Sequence, residues 1–438
     1  MPLLIVASGI VILMILIIVF RINAFIAFTI VSLLVGLAAG MQLEQVILSL
    51  QKGMGDTLGF LVIILGFGAM LGKLVADSGA ARRITTKLVD LFGIKYVQWA
   101  LILTGYIVGI PMFFSVGFVV LIPLLFTIAV SAGVPLLFVG IPMLASLSIT
   151  HGLLPPHPAP TAIAVMFDAE IGKILIYGVI ISIPALLIAG PLFARSLKKI
   201  KVRPLKEFVS PPEMKDEEMP GIWNSILTTL LPVILIGASF LADFIFPEGY
   251  KIAVLFKAIG NPVIALLASI IVAIFSLGLA RGRKIAEIME SLGQSVASIT
   301  MVLLIIAGAG GLKEVLVESG TSDYIAVLLS QSDLSPLFLA WLISALLRIF
   351  VGSATVAGLT TAGIVLPVAS TGQVSKELLV LAIGSGSLIF SHVNDGGFWM
   401  VKEYFCLTVK QTLKTWTVME TLLSILGLLG VLLLNLFI

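Results

Sequence analysis

The chain has only three histidines, and each falls where an apolar run is interrupted. His151 and His157 lie in THGLLPPHPAPT (150–161) among four prolines, and His392 lies in SHVNDGGFW (391–399) ahead of two glycines. Imidazoles at such breaks can shuttle protons near neutral pH or bind hydroxyl groups; the bland alternative is that they brace an interrupted helix. Asn394 and Asp395 add the donors and acceptors that a polyhydroxylated ligand requires. Arg348 stands in an apolar run four positions before Gly352. A guanidinium there needs a partner, either a ligand carboxylate that fits its planar fork or a protein acid such as Asp395. Just beyond it, Ser353 and Thr355 in VGSATVAG (351–358) could offer hydroxyls and exposed amides to a carboxylate or a cation. Asp77 and Glu318 read as helix ends, and Trp99 and Trp341 as interfacial anchors. No HExxH and no GxSxG elbow is present, so an intramembrane hydrolase is a remote reading, and no catalytic residue, metal site or cofactor is called for.

What must position these residues is set by composition. The 438 residues are 59% hydrophobic and 11% charged, with a mean hydropathy of +1.20, which no ordinary soluble surface accommodates. This is the signature of an all-α polytopic membrane protein. Segments such as 2–20 and 416–438 match the roughly 20 apolar residues that cross a hydrocarbon core of about 30 Å. Segment 2–20 has neither a basic flank nor a small-residue cleavage site, and reads as a retained membrane helix. A net charge of +3 is too small to suggest a nucleic-acid partner. The single cysteine, Cys406, excludes an intramolecular disulfide.

The one hydrophilic stretch, RSLKKIKVRPLKEFVSPPEMKDEEMPGI (195–222), mixes seven basic residues, five acidic residues and four prolines. It divides the chain into 1–195, a cytoplasmic linker at 196–222, and 223–438. The halves resemble each other: GLAAGMQLEQVILSL (36–50) aligns with GLARGRKIAEIMESL (278–292) at an offset of 242. With a drift of one or two residues, the same offset pairs LVADSG (74–79) with VLVESG (315–320), Trp99 with Trp341, Pro123 with Pro367 and His151 with His392. Apolar bias alone would not align Gly, Trp and His together, so an internal duplication is inferred.

Lys and Arg collect in cytoplasmic loops, and here they swap sides between the halves. Arg82, Arg83, Lys87 and Lys95 have no basic counterpart in 320–336, whereas Arg281, Arg283 and Lys284 face a single Lys52. Opposite insertion of the two halves follows, and with it an odd number of crossings in each. The expected crossings are 2–20, 24–40 and 57–77, then a basic loop and a re-entrant hairpin over 97–131. A crossing broken within 136–167 and an ordinary one at 172–194 complete the first half. The second half repeats this as 224–243, 259–280, 296–317, a hairpin over 337–370, a crossing broken at 391–399, and 416–438. Lys251 and Lys257 fall outside in this scheme, a mild objection. Non-helical backbone at membrane depth must line protein or water, so the two breaks and the hairpin tips are expected to converge on one binding site, where helix N-termini favour anions.

The chain also resembles the gluconate permeases, gluconate:proton symporters within the ion-transporter superfamily. The likeness is carried by GFGAMLGKLVADSGAARRI (66–84), THGLLPPHPAPTAIA (150–164), GAGGLKEVLVESG (308–320), GSATVA (352–357) and SHVNDGGFWMVKEYF (391–405). It implies a bacterial-type inner-membrane carrier of a small anionic hydroxy acid, built as a homodimer with mobile transport domains. Carriage of another hydroxy acid or of D-serine is the alternative. The implied substrate residues are His151, His157, Arg348, Ser353, Thr355, His392, Asn394 and Asp395. The family pattern implies a glutamate at the first hairpin tip, where this chain has Ser115. A proton would then have to use His151 or Asp395; a sodium ion held by Ser115 is the alternative.

Overall fold

A computed structural model of the chain describes residues 2–198, 200, 202, 214–246, 251–320, 334–370, 372–393 and 395–438. The described residues form helices joined by short turns, with no strand among them. Among the described residues, six helices are long and apolar enough to cross a membrane, and up to eight if each of two bent pairs counts as one span.

The first half runs α1 (Pro2–Met14), α2 (Ala24–Ala38), α3 (Leu43–Asp77), α4 (Ala80–Phe92), α5 (Val97–Gly109), α6 (Phe114–Ser131), α7 (Leu136–Leu153), α8 (Pro158–Phe167), α9 (Ile171–Leu187) and α10 (Phe193–Ser196). The second runs α11 (Ile222–Ile245), α12 (Lys251–Ile259), α13 (Pro262–Ala273), α14 (Ile285–Glu318), α15 (Pro336–Val351), α16 (Ala354–Ser370), α17 (Lys376–Gly386), α18 (Gly396–Tyr404), α19 (Val409–Thr412) and α20 (Val418–Leu434). Two expectations need correction. The crossings drawn at 57–77 and 296–317 are the C-terminal parts of much longer helices, α3 and α14, of 35 and 34 residues. The stretch read as a basic loop at 79–96 is largely the helix α4, which turns by 109° into α5 at Gly93. An alternation of charged and apolar residues in α4 resembles a loop in composition, yet its apolar face is buried.

Local signals define these ends. Asn23 and Asn261 cap α2 and α13 by accepting the amide protons of Phe25 and Val263 at 2.9 and 3.0 Å. Gln45 and Glu287 fold back onto the backbone N–H groups of Gln42 and Lys284 to start α3 and α14. Both long helices stop at a serine followed by a glycine with positive φ, Gly79 at 76° and Gly320 at 69°.

α3 and α14 pack along each other and run antiparallel. Lys52 near the start of α3 pairs with Glu314 and Glu318 at the end of α14. Asp77 at the end of α3 accepts from Ser291 at 2.6 Å and faces Arg283 at 3.8 Å, both near the start of α14. Their crossing is close because Gly53 meets Gly310: a Cβ on Gly53 would stand 2.3 Å from the Gly310 carbonyl oxygen. Elsewhere α5 packs on α7, and α15 packs on α17. The half-buried Trp341 donates its indole N–H to Ser424 at 3.0 Å.

The described end of the linker is fixed to the basic stretches. Arg83, although buried, donates to the Pro220 carbonyl at 2.9 Å and to the Asp216 carboxylate at 3.1 Å. Arg281 donates to the Glu217 carbonyl. The three basic segments assigned to one side of the membrane therefore meet in space.

Candidate functional site

Prolines produce the first helix break. Leu154, which precedes Pro155, is extended (φ −105°, ψ 124°) as the ring of the next residue demands, and it ends α7. His157 is extended too, ahead of Pro158 at the start of α8. The second break, between Gly386 and Gly396, has no proline. There Asp395 caps α18, accepting the Gly397 amide proton at 3.0 Å. A third interruption lies between α15 and α16, where Gly352 takes φ 78° and Ser353 accepts the Val356 amide proton at 3.3 Å.

These interruptions converge on a cavity of about 370 Å³, within the range of small-molecule sites. Its lining includes Ser148 and His151 from α7, Arg348 from α15, Ser353 and Thr355 at the start of α16, Asp395 and Gly396 at the start of α18, and Trp416 and Glu420. The N-termini of α16 and α18 thus both open on the cavity, and each brings a positive dipole end. Trp416 arrives on a π-helical turn, Leu413–Thr417, that leads into α20. Such turns recur at functional sites because the extra residue re-aims a side chain.

The central pair is Arg348 and Asp395. Arg348 is 4% exposed, and its Nη2 donates to Asp395 Oδ2 at 2.5 Å. Its Nη1 donates to the Gly352 carbonyl, tying the guanidinium to the end of its own helix. The Nε–H has no partner among the described residues. Asp395 is more heavily committed: Oδ2 also accepts from Ser391, whose hydroxyl in turn accepts from the Trp416 indole at 2.7 Å.

Two of the histidines are turned away from the cavity. His157 is 3% exposed and lies behind His151. Its Nε2 donates to the Gly109 carbonyl at 2.8 Å, and its Nδ1 lies 3.3 Å from His151 Nδ1. With the Nε2 proton on Gly109, His157 Nδ1 is the acceptor and His151 Nδ1 the donor. His157 therefore orients His151 and does not itself line the cavity. His392 donates to the Ile349 carbonyl at 2.9 Å and holds the second break against α15, also outside the lining. Ser115 is exposed in the first turn of α6 and does not line the cavity, although its neighbour Phe114 does. Asn394 lies outside the described residues. Of the residues singled out from sequence, His151, Arg348, Ser353, Thr355 and Asp395 share one cavity; His157, His392 and Ser115 do not line it.

Glu420 was not among them. It sits inside the apolar segment 416–438, where one acid in a long hydrophobic run leaves the composition of a plain crossing. Its signal was there to see, since an ionisable residue within a membrane span is a functional candidate by default. Among the described residues no group of three or more His, Cys, Asp or Glu could hold a metal. A larger cavity of about 600 Å³ lies elsewhere, against Asp168, Glu170 and Lys257. It includes none of the three helix breaks, and its two carboxylates disfavour an anion.

Residues 1–437 match the model of the GntP family permeases. The chain is 52% identical to the Gnt-II system L-idonate transporter of Escherichia coli (strain K12), over 99% of each chain. It is 51% identical over the full length of both chains to a high-affinity gluconate transporter of the same organism. Among solved structures, the Alcanivorax borkumensis YdaH transporter has a similar fold, with a TM-score of 0.68, 18% identity, and coverage of 94% of this chain and 97% of the other.

Proposed function

The chain belongs to the GntP family of permeases, a multi-pass membrane transporter and not an enzyme, and we propose that it imports gluconate or a related sugar acid by proton symport. The observation that carries the substrate reading is the cavity itself. It offers one buried guanidinium with an unspent N–H, two helix N-termini for a carboxylate, and serine, threonine, histidine and carboxylate groups for hydroxyls. The names of relatives at 51% and 52% identity, a gluconate and an L-idonate transporter, fit that chemistry. In this reading the substrate carboxylate meets Arg348 and the N-terminus of α16, and its hydroxyls meet His151 and Asp395.

The transport cycle rests on two halves of opposite insertion, 1–195 and 223–438, joined by a cytoplasmic linker in the inner membrane. Four features support this arrangement. The caps of α3 and α14, Gln42 with Gln45 and Lys284 with Glu287, recur at the 242-residue offset. The left-handed glycines Gly40 and Gly282 recur at the same offset. The two corresponding long helices run antiparallel, as opposite insertion requires. The basic segments meet the linker on one face. A homodimer is proposed on the family resemblance.

Counterflow in proteoliposomes tests the substrate class: vesicles loaded with unlabelled gluconate should accumulate labelled gluconate. Absence of exchange for gluconate, L-idonate and other aldonates would refute it. An outside-acid gradient should drive uptake without sodium. Uptake that follows a sodium gradient and ignores protons would refute the symport.

A further inference from the structure

The cavity contains one acid with an oxygen that no hydrogen bond commits. Glu420, in the first turn of α20, is 1% exposed and lines the cavity, and its Oε1 has no hydrogen-bond partner among the described residues. The Ser148 hydroxyl of α7 is the polar neighbour of its carboxyl. The helices packed on α20 are α7, α9 with its π-helical continuation Ile188–Leu192, which carries no titratable group, α15 and α17. Of their titratable or charged groups, His151 and Arg348 face the cavity with Glu420, joined by Asp395 ahead of α18. Lys173 and Tyr177 of α9, Lys376 and Glu377 of α17, and Lys414 in the turn before α20 do not line it.

We propose that Glu420 is the group that takes up and releases the transported proton, and that substrate and proton are coupled through the charge balance of this one cavity. The proposal rests on the symport reading above and names its carrier. With Glu420 ionised, Arg348 is the one guanidinium against two carboxylates, and an entering substrate would bring a third anion. With Glu420 protonated, the Arg348–Asp395 pair is balanced and the substrate is the only excess charge. Like charges repel strongly where water is scarce, so each of proton and substrate raises the affinity for the other by the same factor. The step is a simple transfer: an O–H bond of external hydronium breaks as one forms on the Glu420 carboxylate, and that bond breaks in turn to water on the cytoplasmic side, where loss of the proton releases the substrate. Asp395 is a poorer candidate for this role, because its Oδ2 is held by Arg348 and Ser391 and its Oδ1 caps α18 by accepting from Gly397.

Glu420→Gln keeps shape and hydrogen-bonding capacity but fixes the neutral state. In proteoliposomes the variant should exchange gluconate by counterflow, while uptake driven by an outside-acid gradient falls to background. Gluconate affinity of the natural chain should fall roughly tenfold per pH unit once Glu420 ionises, and that of the variant should be flat. A variant that is still driven by the proton gradient, or that retains the pH slope, overturns the assignment. If Glu420→Gln folds without exchanging, the same binding profile decides: flat supports the proposal and sloped overturns it. If it does not fold, Ser148→Ala serves instead, since losing the hydroxyl beside the carboxyl should move the pH at which affinity falls; an unmoved profile overturns the proposal. A natural chain that ignores the proton gradient would refute the symport reading itself, a result distinct from any of these.

Discussion

Replacing Arg348 by Lys keeps the positive charge and removes the fork, which makes it the sharpest probe of the substrate contact. In the structure the guanidinium spends Nη2 on Asp395 and Nη1 on Gly352, and its Nε–H remains unspent. A single ammonium on a narrower head cannot hold Asp395 and the Gly352 carbonyl and also meet a substrate carboxylate with the planar geometry of arginine. Hydrogen bonds to charged groups contribute about 1.5–3 kcal/mol each. Loss of one such bond to the substrate should therefore weaken gluconate affinity roughly 10- to 150-fold, at about 1.4 kcal/mol per factor of ten.

Stability should change less than affinity, because the charge opposite Asp395 is retained. Arg348→Ala, by contrast, strands the half-buried Asp395 carboxylate and should cost about 3 kcal/mol of stability. The assay is gluconate counterflow together with a ligand-induced shift in Tm, on Arg348→Lys protein that elutes as a single species. Unchanged uptake kinetics and an unchanged ligand shift in that protein would refute the assignment of Arg348 to the substrate.

Three further outcomes are expected. In a Cys406→Ser background, Arg283→Cys of the second half should react with an impermeant thiol reagent only from the cytoplasmic side and Gln51→Cys of the first half only from the other; labelling of both from one side of intact cells would contradict opposite insertion of the halves. Gly310→Leu places a Cβ 2.2 Å from Thr57 Oγ1 at the crossing of α3 and α14, and overpacking there should cost about 3 kcal/mol or more. Gly55→Ala, with nothing within 4 Å of its Cβ, should leave Tm unchanged or raised, so equal Tm values for the two variants would argue against a tight crossing. His157→Phe should leave the Gly109 carbonyl unsatisfied and cost about 1–3 kcal/mol of stability, while its gluconate KM moves less than that of Arg348→Lys; a larger KM effect would place His157 in contact with substrate.

Much of the site could be read from residue types because membrane depth makes polar groups expensive. Arg348, His151 and Asp395 stood out in apolar surroundings, and the structure puts them around one cavity. The prolines at 155 and 156 announced a break, and Leu154 is extended as the following ring requires. What sequence could not supply was direction. His157 and His392 have the same composition of neighbours as a ligand histidine, yet their rings are committed to the carbonyls of Gly109 and Ile349. Choosing between those outcomes takes the packing of α5 against α7 and of the second break against α15, which no local spacing encodes. The length of α3 was missed for a similar reason: Gly53, Asp56 and Lys52 weaken the apolar signal before 57, but Lys52 is paired with Glu314 across the helix crossing, so the helix continues through residues that read as a loop.

The placement of charge in the cavity bears on how a carrier releases what it binds. A site made only of Arg348 and two helix N-termini would hold a carboxylate tightly and give it up slowly. Here Asp395 already occupies one face of the guanidinium and Glu420 stands by with an uncommitted oxygen. The substrate must therefore compete with protein carboxylates for a single cation, and the affinity is set by a difference between two anions instead of by an unopposed attraction. With Glu420 as the proton carrier we propose, one proton tips that difference toward binding, and its loss tips it back. In this arrangement the residues that recognise the substrate are the same residues whose charge state commands its release, and no separate coupling site is required.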